Sequence, residues 1–202
     1  MSFPIPPVNP EGLQNTAWIE NFLSQDDLNL ISAYKNPKAQ YNNQEGTINS
    51  WDGAVLLNSD VRSTKITWLY QEPKTLAIYD KVSMAILELN ARYFKFDING
   101  IWEPMQIGVY RAEDKAHYDW HTDGALDRNS IPRKLSFSLL LNDPDEFEGG
   151  ELQTKTTSGQ TVLEQKQNRA WIFPSYLLHK VTPVTKGVRK SLVVWAGGPQ
   201  FK

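Results

Sequence analysis

The chain contains no cysteine among its 202 residues. That excludes disulfides, thiolate nucleophiles and cysteine-ligated zinc. An excess of one charge is also missing. Lys and Arg number 21 against 23 Asp and Glu, a formal net charge of −2, so no basic field draws the chain to nucleic acid or anionic lipid. No apolar run approaches the roughly 20 residues that span a bilayer. The opening MSFPIPPVNPEG has neither a basic start nor an apolar core, and so does not read as a signal peptide. The expectation is a cytoplasmic protein without membrane or nucleic-acid partners. With 40% hydrophobic and 22% charged residues, it has the make-up of one globular domain over residues 1–202 with a sizeable core.

Prolines 4, 6, 7 and 10 favour an extended lead-in. In NFLSQDDLNLISAYKN, Ser24 is a natural N-cap with Asp27 at the third position, and Leu28 and Ile31 supply an apolar side. A second helix is predicted from about Pro73 to Phe94. There Ile78, Val82, Ala85, Ile86 and Leu89 recur on one face. GAVLLN and STKITWLY read as strands before it. From about residue 100 the pattern becomes β, through MQIGVY, KLSFSLLL, GGELQTK, RAWIFP, HKVTPV and RKSLVVWA. Residues 1–100 then form an arm, helices and supporting strands, and 101–198 a β core. The fold class is α+β to mainly β, a sandwich or barrel, because no helices alternate with the late strands.

Only three histidines are present, and two fall within HYDWHTDG, residues 117–124. If this stretch is a strand, His121 and Asp123 share a face with Cα atoms about 7 Å apart, close enough to reach one ion. His-x-Asp alone is a weak signal, since it arises by chance. His179 begins another predicted strand, and a sheet closed on itself can bring it to the pair. Two imidazoles and a carboxylate on one side of an ion form the facial triad of non-haem iron oxygenases. The alternative is a histidine satisfied in the core or at the surface.

In GVRKSLVVWA, alternation places Arg189, Ser191, Val193 and Trp195 on one face, with Leu192 and Val194 on the other. A buried guanidinium without a partner is very costly. An anionic ligand would satisfy it, as the fork matches a carboxylate. An internal Asp or Glu partner is the alternative.

Taken in order, YDWHTDGA…RKLSFSLLLNDPDEFEGGELQT…WIFPSYLLHKVTPVTKGVRKSLVVW resembles the Fe(II)- and 2-oxoglutarate-dependent dioxygenase superfamily. Within it, the likeness is to the prolyl 4-hydroxylase-like branch, in its small bacterial and phage form. The likeness covers roughly residues 106–196, and WIENFLSQDDLNLI resembles the opening helix of that branch. It implies a double-stranded β-helix, or jelly-roll, with flanking N-terminal helices. It implies Fe(II) on His121, Asp123 and His179, and 2-oxoglutarate held at Arg189 with Ser191 beside it and Tyr110 as a hydrogen-bonding aromatic. Trp195 and Tyr118 match aromatics near the metal. Gly149 and Gly150 in FEGGEL form a branch marker that a tight turn also explains. Leu140 stands where some relatives place a cosubstrate-binding Tyr. The intact Asp123 argues against a halogenase, and Trp195 stands where nucleobase-repair members carry a second Arg.

The implied activity is hydroxylation of an unactivated C–H bond with O2 and 2-oxoglutarate, releasing succinate and CO2. The expected substrate is a prolyl residue in a peptide or protein, with a free amino acid or another small molecule as the alternative. A non-catalytic metal-binding jelly-roll is the reading from another class. It would keep the His/Asp/His set but would not need Arg189 and Ser191 facing inward. A zinc hydrolase would want a positioned base that HYDWHTDG does not clearly supply. Trp120, Trp51, Arg62 and Asp127 are candidate substrate-side residues, each equally explained by packing or solvation. His117 has no role in this scheme.

Overall fold

The computed structural model describes residues 15–49, 55–124 and 131–200. The proline-bearing arm, Trp51 and Asp127 lie outside the described residues. Helix α1 (Gln25–Ala33) starts where the sequence placed it. The Ser24 hydroxyl accepts from the Asp27 N–H, and the Asp27 carboxylate accepts from the Ser24 N–H at 3.0 Å. Two otherwise orphaned donors are thereby satisfied. Lys81 of helix α2 (Leu76–Leu89) ion-pairs with the same carboxylate, so the cap also ties the helices together. Helix α2 is shorter than the predicted 73–94. Residues 90–94 widen into a π turn that Lys95 ends at φ 57. Asn90 causes this stop, donating to the Phe96 carbonyl at 2.8 Å and accepting from its N–H at 2.9 Å.

Fifteen strands occur among the described residues. They are β1 (Ala17–Ile19), β2 (Gln44–Glu45), β3 (Ile48–Asn49), β4 (Val55–Leu56), β5 (Arg62–Ser63), β6 (Lys65–Leu69), β7 (Met105–Arg111) and β8 (His117–His121), then β9 (Arg133–Leu140), β10 (Phe147–Gly149), β11 (Leu152–Thr156), β12 (Gly159–Val162), β13 (Ala170–Pro174), β14 (Leu178–Val181) and β15 (Val184–Gly197). The major sheet runs β1-β13-β9-β15-β7-β6-β2, with β10 also on β15, and the minor sheet runs β12-β11-β14-β8-β5. The pairings within both sheets are antiparallel. This is the expected jelly-roll with two helices. No helix among the described residues is long and apolar enough to cross a membrane.

Alternation sorts the major sheet into two faces. One carries Leu135, Phe137, Leu139, Ile172, Leu192 and Val194, and packs on Ile31 of α1 and on Ile78, Val82, Ile86 and Leu89 of α2. That is the main core. The other face carries Tyr110, Ser136, Ser138, Phe173, Arg189, Ser191 and Trp195, and lines a cavity shared with the minor sheet. Apolar residues therefore anchor each strand from behind while polar ones face inward.

Two stability tests follow. Leu139→Ala empties a fully buried position and should cost about 2–5 kcal/mol in denaturant unfolding, whereas Met84→Ala, at a position 66% exposed, should cost under about 0.5 kcal/mol. Burial works to raise the Asp27 carboxyl, but donors from Lys81 and Ser24 outweigh it and hold the group below the usual carboxylate range. Its contribution is present above the unfolded pKa of about 3.9 and is lost as pH falls through the lower folded value. Asp27→Asn should flatten that part of the acid-unfolding curve.

Candidate active site

Cross-strand register brings the two histidines together. His121 of β8 is the direct partner of His179 of β14, and their rings lie 4.1 Å apart. Asp123 arrives differently from the expectation. Strand β8 ends at His121, and a hydrogen bond from the Asp123 N–H to the Ser175 carbonyl at 2.8 Å fixes the next turn. The carboxylate then sits 3.7 Å from His121 Nε2 and 3.4 Å from His179 Nε2. One ligand atom from each of the three residues falls within 4.8 Å of the others. Each imidazole bonds through Nδ1 to the carbonyl two residues before it, Asp119 at 2.7 Å and Leu177 at 2.8 Å. A carbonyl only accepts, so both Nδ1 atoms carry hydrogen and both Nε2 lone pairs face the carboxylate. Ligating histidines need that tautomer. Ser136 donates to Asp123 Oδ2 at 2.7 Å and meets Ser175 Oγ at 3.0 Å.

Electrostatics match the geometry. Burial, and then the neighbouring His179, push His121 down to about 3. Burial works to raise the Asp123 carboxyl, but the two imidazoles and Ser136 outweigh it and hold it far below the usual range. Burial would lower His179, yet Asp123 beside it wins and raises it. The Asp123 carboxylate is thus a fixed negative charge between the two imidazoles.

Arg189 lies along the same cavity and is 4% exposed. Among the described residues its Nε and Nη1 have no hydrogen-bond partner, and the Tyr110 ring lies 5.2 Å from the guanidinium carbon. No ion pair involves it among the described residues. Burial alone lowers its pKa. Gly150, at φ 61, makes room for it, since a Cβ there would lie 2.7 Å from Arg189 Cδ. Ser191 is 1% exposed and lines the cavity with Tyr110 and Trp195. Trp195 Nε1 is a further buried donor without a partner.

Residues 105–197 match the sequence profile described as the 2OG-Fe(II) oxygenase superfamily. A PKHD-type hydroxylase of Synechococcus sp. (strain JA-2-3B'a(2-13)) is 31% identical over 150 residues, 71% of this chain. The chain spans 65% of that relative's length. Residues 105–197 belong to the 2OG-Fe(II) oxygenase superfamily. The fold agrees with solved structures. A prolyl-4-hydroxylase of Pseudomonas putida superposes with TM-score 0.65 at 19% identity, covering 92% of this chain and 94% of that one. A prolyl hydroxylase from Trichoplax adhaerens, solved with a hypoxia inducible factor peptide fragment, gives TM-score 0.65 at 17% identity over 94% of this chain and 84% of that one.

Oxygenases of this superfamily use Fe(II), 2-oxoglutarate and O2. The donor set fits the first: two imidazole nitrogens and a carboxylate suit Fe(II), and the site contains no soft thiolate. The orphaned Arg189 guanidinium fits the second, because it needs an anion that the protein does not provide. A larger cavity of about 600 Å³ lies against α1 and the opposite face of the major sheet. It is lined by one acidic residue, Glu146, and no histidine, so it offers no such chemistry.

Of the remaining expected residues, Tyr118 lies in the oxygenase cavity, stacked on His121 at 3.4 Å. Strict alternation would send these two side chains to opposite faces. A bulge resolves this, with the four residues from Tyr118 to His121 opposite the three from His179 to Val181. Trp120 falls inside the bulge and, contrary to expectation, does not line the cavity. Its ring lies beneath the Lys180 and Lys155 ammonium groups at 4.7 and 5.7 Å. Arg62 does line the cavity, over Tyr118 at 4.4 Å. His117 bonds backbone carbonyls of Lys115 and Asp60, away from the triad. The sequence reading missed Ser136 and Gln106. Ser136 was detectable, because alternation in KLSFSLLL puts both serines opposite Leu135, Phe137 and Leu139.

Ser136→Ala strips a donor from the carboxylate that organises the cluster. Metal affinity should fall about 10–100-fold, read by Fe(II) or Zn(II) titration, with little change in the circular dichroism spectrum.

Proposed function

We propose that this chain is an Fe(II)- and 2-oxoglutarate-dependent hydroxylase acting on a prolyl residue of a peptide or protein. The observation that carries the reading is Arg189, a buried guanidinium without a counter-charge in the cavity that also holds the His121–Asp123–His179 cluster. A non-catalytic metal-binding jelly-roll would have no use for it. The prolyl assignment draws support from the prolyl hydroxylases that share the fold. Residues 101–198 form the catalytic core in this reading.

His121, Asp123 and His179 would hold the iron. Bound there, Fe(II) with 2-oxoglutarate and O2 supplies the oxidising power to hydroxylate an unactivated C–H bond, yielding succinate and CO2. The protein's part is placement and electrostatics. Arg189 receives the carboxylate at the far end of the cosubstrate through charge-assisted hydrogen bonds, strengthened by the dry surroundings. Ser191 adds a hydroxyl and Tyr110 a ring and phenol on the same side. Leu140 offers no hydroxyl, which leaves Arg189 as the principal anchor. Ser136 holds Asp123 ionised and oriented. Tyr118, Phe173 and Trp195 wall the cavity and exclude water from the reacting centre. No side-chain base is required.

Purified protein with Fe(II), ascorbate and 2-oxoglutarate, presented with a library of prolyl peptides, should give succinate and products heavier by one oxygen in mass spectrometry. Asp123→Ala should abolish both. Arg189→Ala should weaken 2-oxoglutarate binding by about 2 kcal/mol or more while metal affinity stays near wild type. Absence of 2-oxoglutarate binding by the wild-type protein would sink the reading.

A further inference from the structure

The oxygenase cavity holds a second buried guanidinium that the cosubstrate does not explain. Arg62 is 9% exposed. Its Nη2 donates to the side-chain oxygen of Gln106 at 2.7 Å and its Nη1 to the Thr47 carbonyl at 3.0 Å, while its Nε is buried without a partner. Every acceptor it meets is neutral, and no carboxylate pairs with it among the described residues. The contrast with Arg133 is direct. That side chain also abuts the cavity, 3.8 Å over the Trp195 ring, but Glu103 neutralises it through two hydrogen bonds.

Position separates Arg62 from Arg189. Arg62 contacts Gln106 and Arg189 contacts Tyr110, and both partners lie on the cavity face of β7. They are four residues apart, about 13 Å along a strand. One dicarboxylate anchored at Arg189 and bound to the metal leaves the other end of the cavity positive. A divalent ion, two guanidinium groups and one aspartate exceed the charge of the 2-oxoglutarate dianion by a single positive charge. The unspent groups there are also donors. With its oxygen turned to Arg62, Gln106 has its N–H groups to offer a ligand. The guanidinium is held in place too. It stacks on Tyr118, and a Cβ at Gly46 would lie 2.5 Å from Arg62 Nε.

We propose that Arg62, with Gln106, binds a carboxylate of the primary substrate, so that the enzyme selects an acid over its amide. This rests on the oxygenase reading and narrows its substrate class. The carboxylate belongs either to a free amino acid or to an acidic side chain beside the target residue.

The test is a side-chain NMR titration of the full chain with Zn(II) in place of iron and 2-oxoglutarate saturating. Sodium acetate should shift the Arg62 Nε–H signal, assigned by its loss in Arg62→Lys, along a saturating curve. Acetamide should not. Arg62→Gln should weaken acetate binding at least about tenfold, as expected for losing a charge-assisted bond. Gly46→Ala, which displaces the guanidinium but keeps its charge, should weaken it as well. No saturable shift in the wild type, or an equal response to acetamide, overturns the proposal without depending on any variant folding. Competition then identifies the source. Displacement of acetate by L-proline but not L-prolinamide assigns a free amino acid. Displacement by N-acetyl-Glu-Pro-amide but not its Gln counterpart assigns an acidic peptide. If neither acid displaces acetate, the substrate assignment is overturned. Repeating the acetate titration without 2-oxoglutarate keeps the two readings apart. Failure of the oxygenase reading appears as no response of Arg189 to 2-oxoglutarate, whatever Arg62 does.

Discussion

One carboxylate organises the interior. Asp123 is buried between two imidazoles, and such a charge survives in a low-dielectric interior only when its oxygens are fully engaged. Ser136 reaches it from the major sheet and His179 from the minor one, so its demands fix the relative position of the two sheets. Its charge pulls His179 upward, while burial and the neighbouring His179 hold His121 down. Their Nδ1–H bonds to their own strands then leave no freedom to the rings. The geometry of the cluster thus turns on a single buried group, and backbone carbonyls set the tautomers around it.

The guanidinium groups place the opposite demand on the fold. Arg189 and Arg62 are held in the interior without counter-charges, at a desolvation cost of several kcal/mol each by the usual measure. The strands carry this because their other face is so well packed. Leu135, Phe137, Leu139, Leu192 and Val194 are all fully buried against the helices. Stability is generated behind the sheet and consumed in front of it. A domain whose cationic side chains await ligands should therefore gain stability when those ligands bind, by ordinary mass action.

Much of this was legible in the sequence. The Ser24–Asp27 cap, the buried face of α2 and the inward face of β15 follow from spacing alone. So does the division of KLSFSLLL into two faces. What escaped has specific physical causes. The length of α2 depended on Asn90, whose side chain reaches a loop six residues on and stops the helix. The position of Asp123 depended on the Ser175 carbonyl, which is close in space and distant in sequence. Trp120 was misplaced because alternation assumes an uninterrupted strand. That no carboxylate among the described residues pairs with Arg62 could not be read at all, since it is a property of everything around that residue.

The bulge between Tyr118 and His121 gives strand β8 a phase. Up to it the inward side chains keep one parity, and beyond it they keep the other. The metal-facing ring and the ring stacked upon it belong to opposite parities, joined only by that extra residue. The arrangement is therefore tolerant of many replacements at Asp119 and Trp120 but not of losing either one. A single-codon deletion there would leave most of the hydrogen-bond ladder able to re-form, yet would turn either the tyrosine or the imidazole out of the cavity. The chemistry of the site is in this sense encoded in residue count as much as in residue identity.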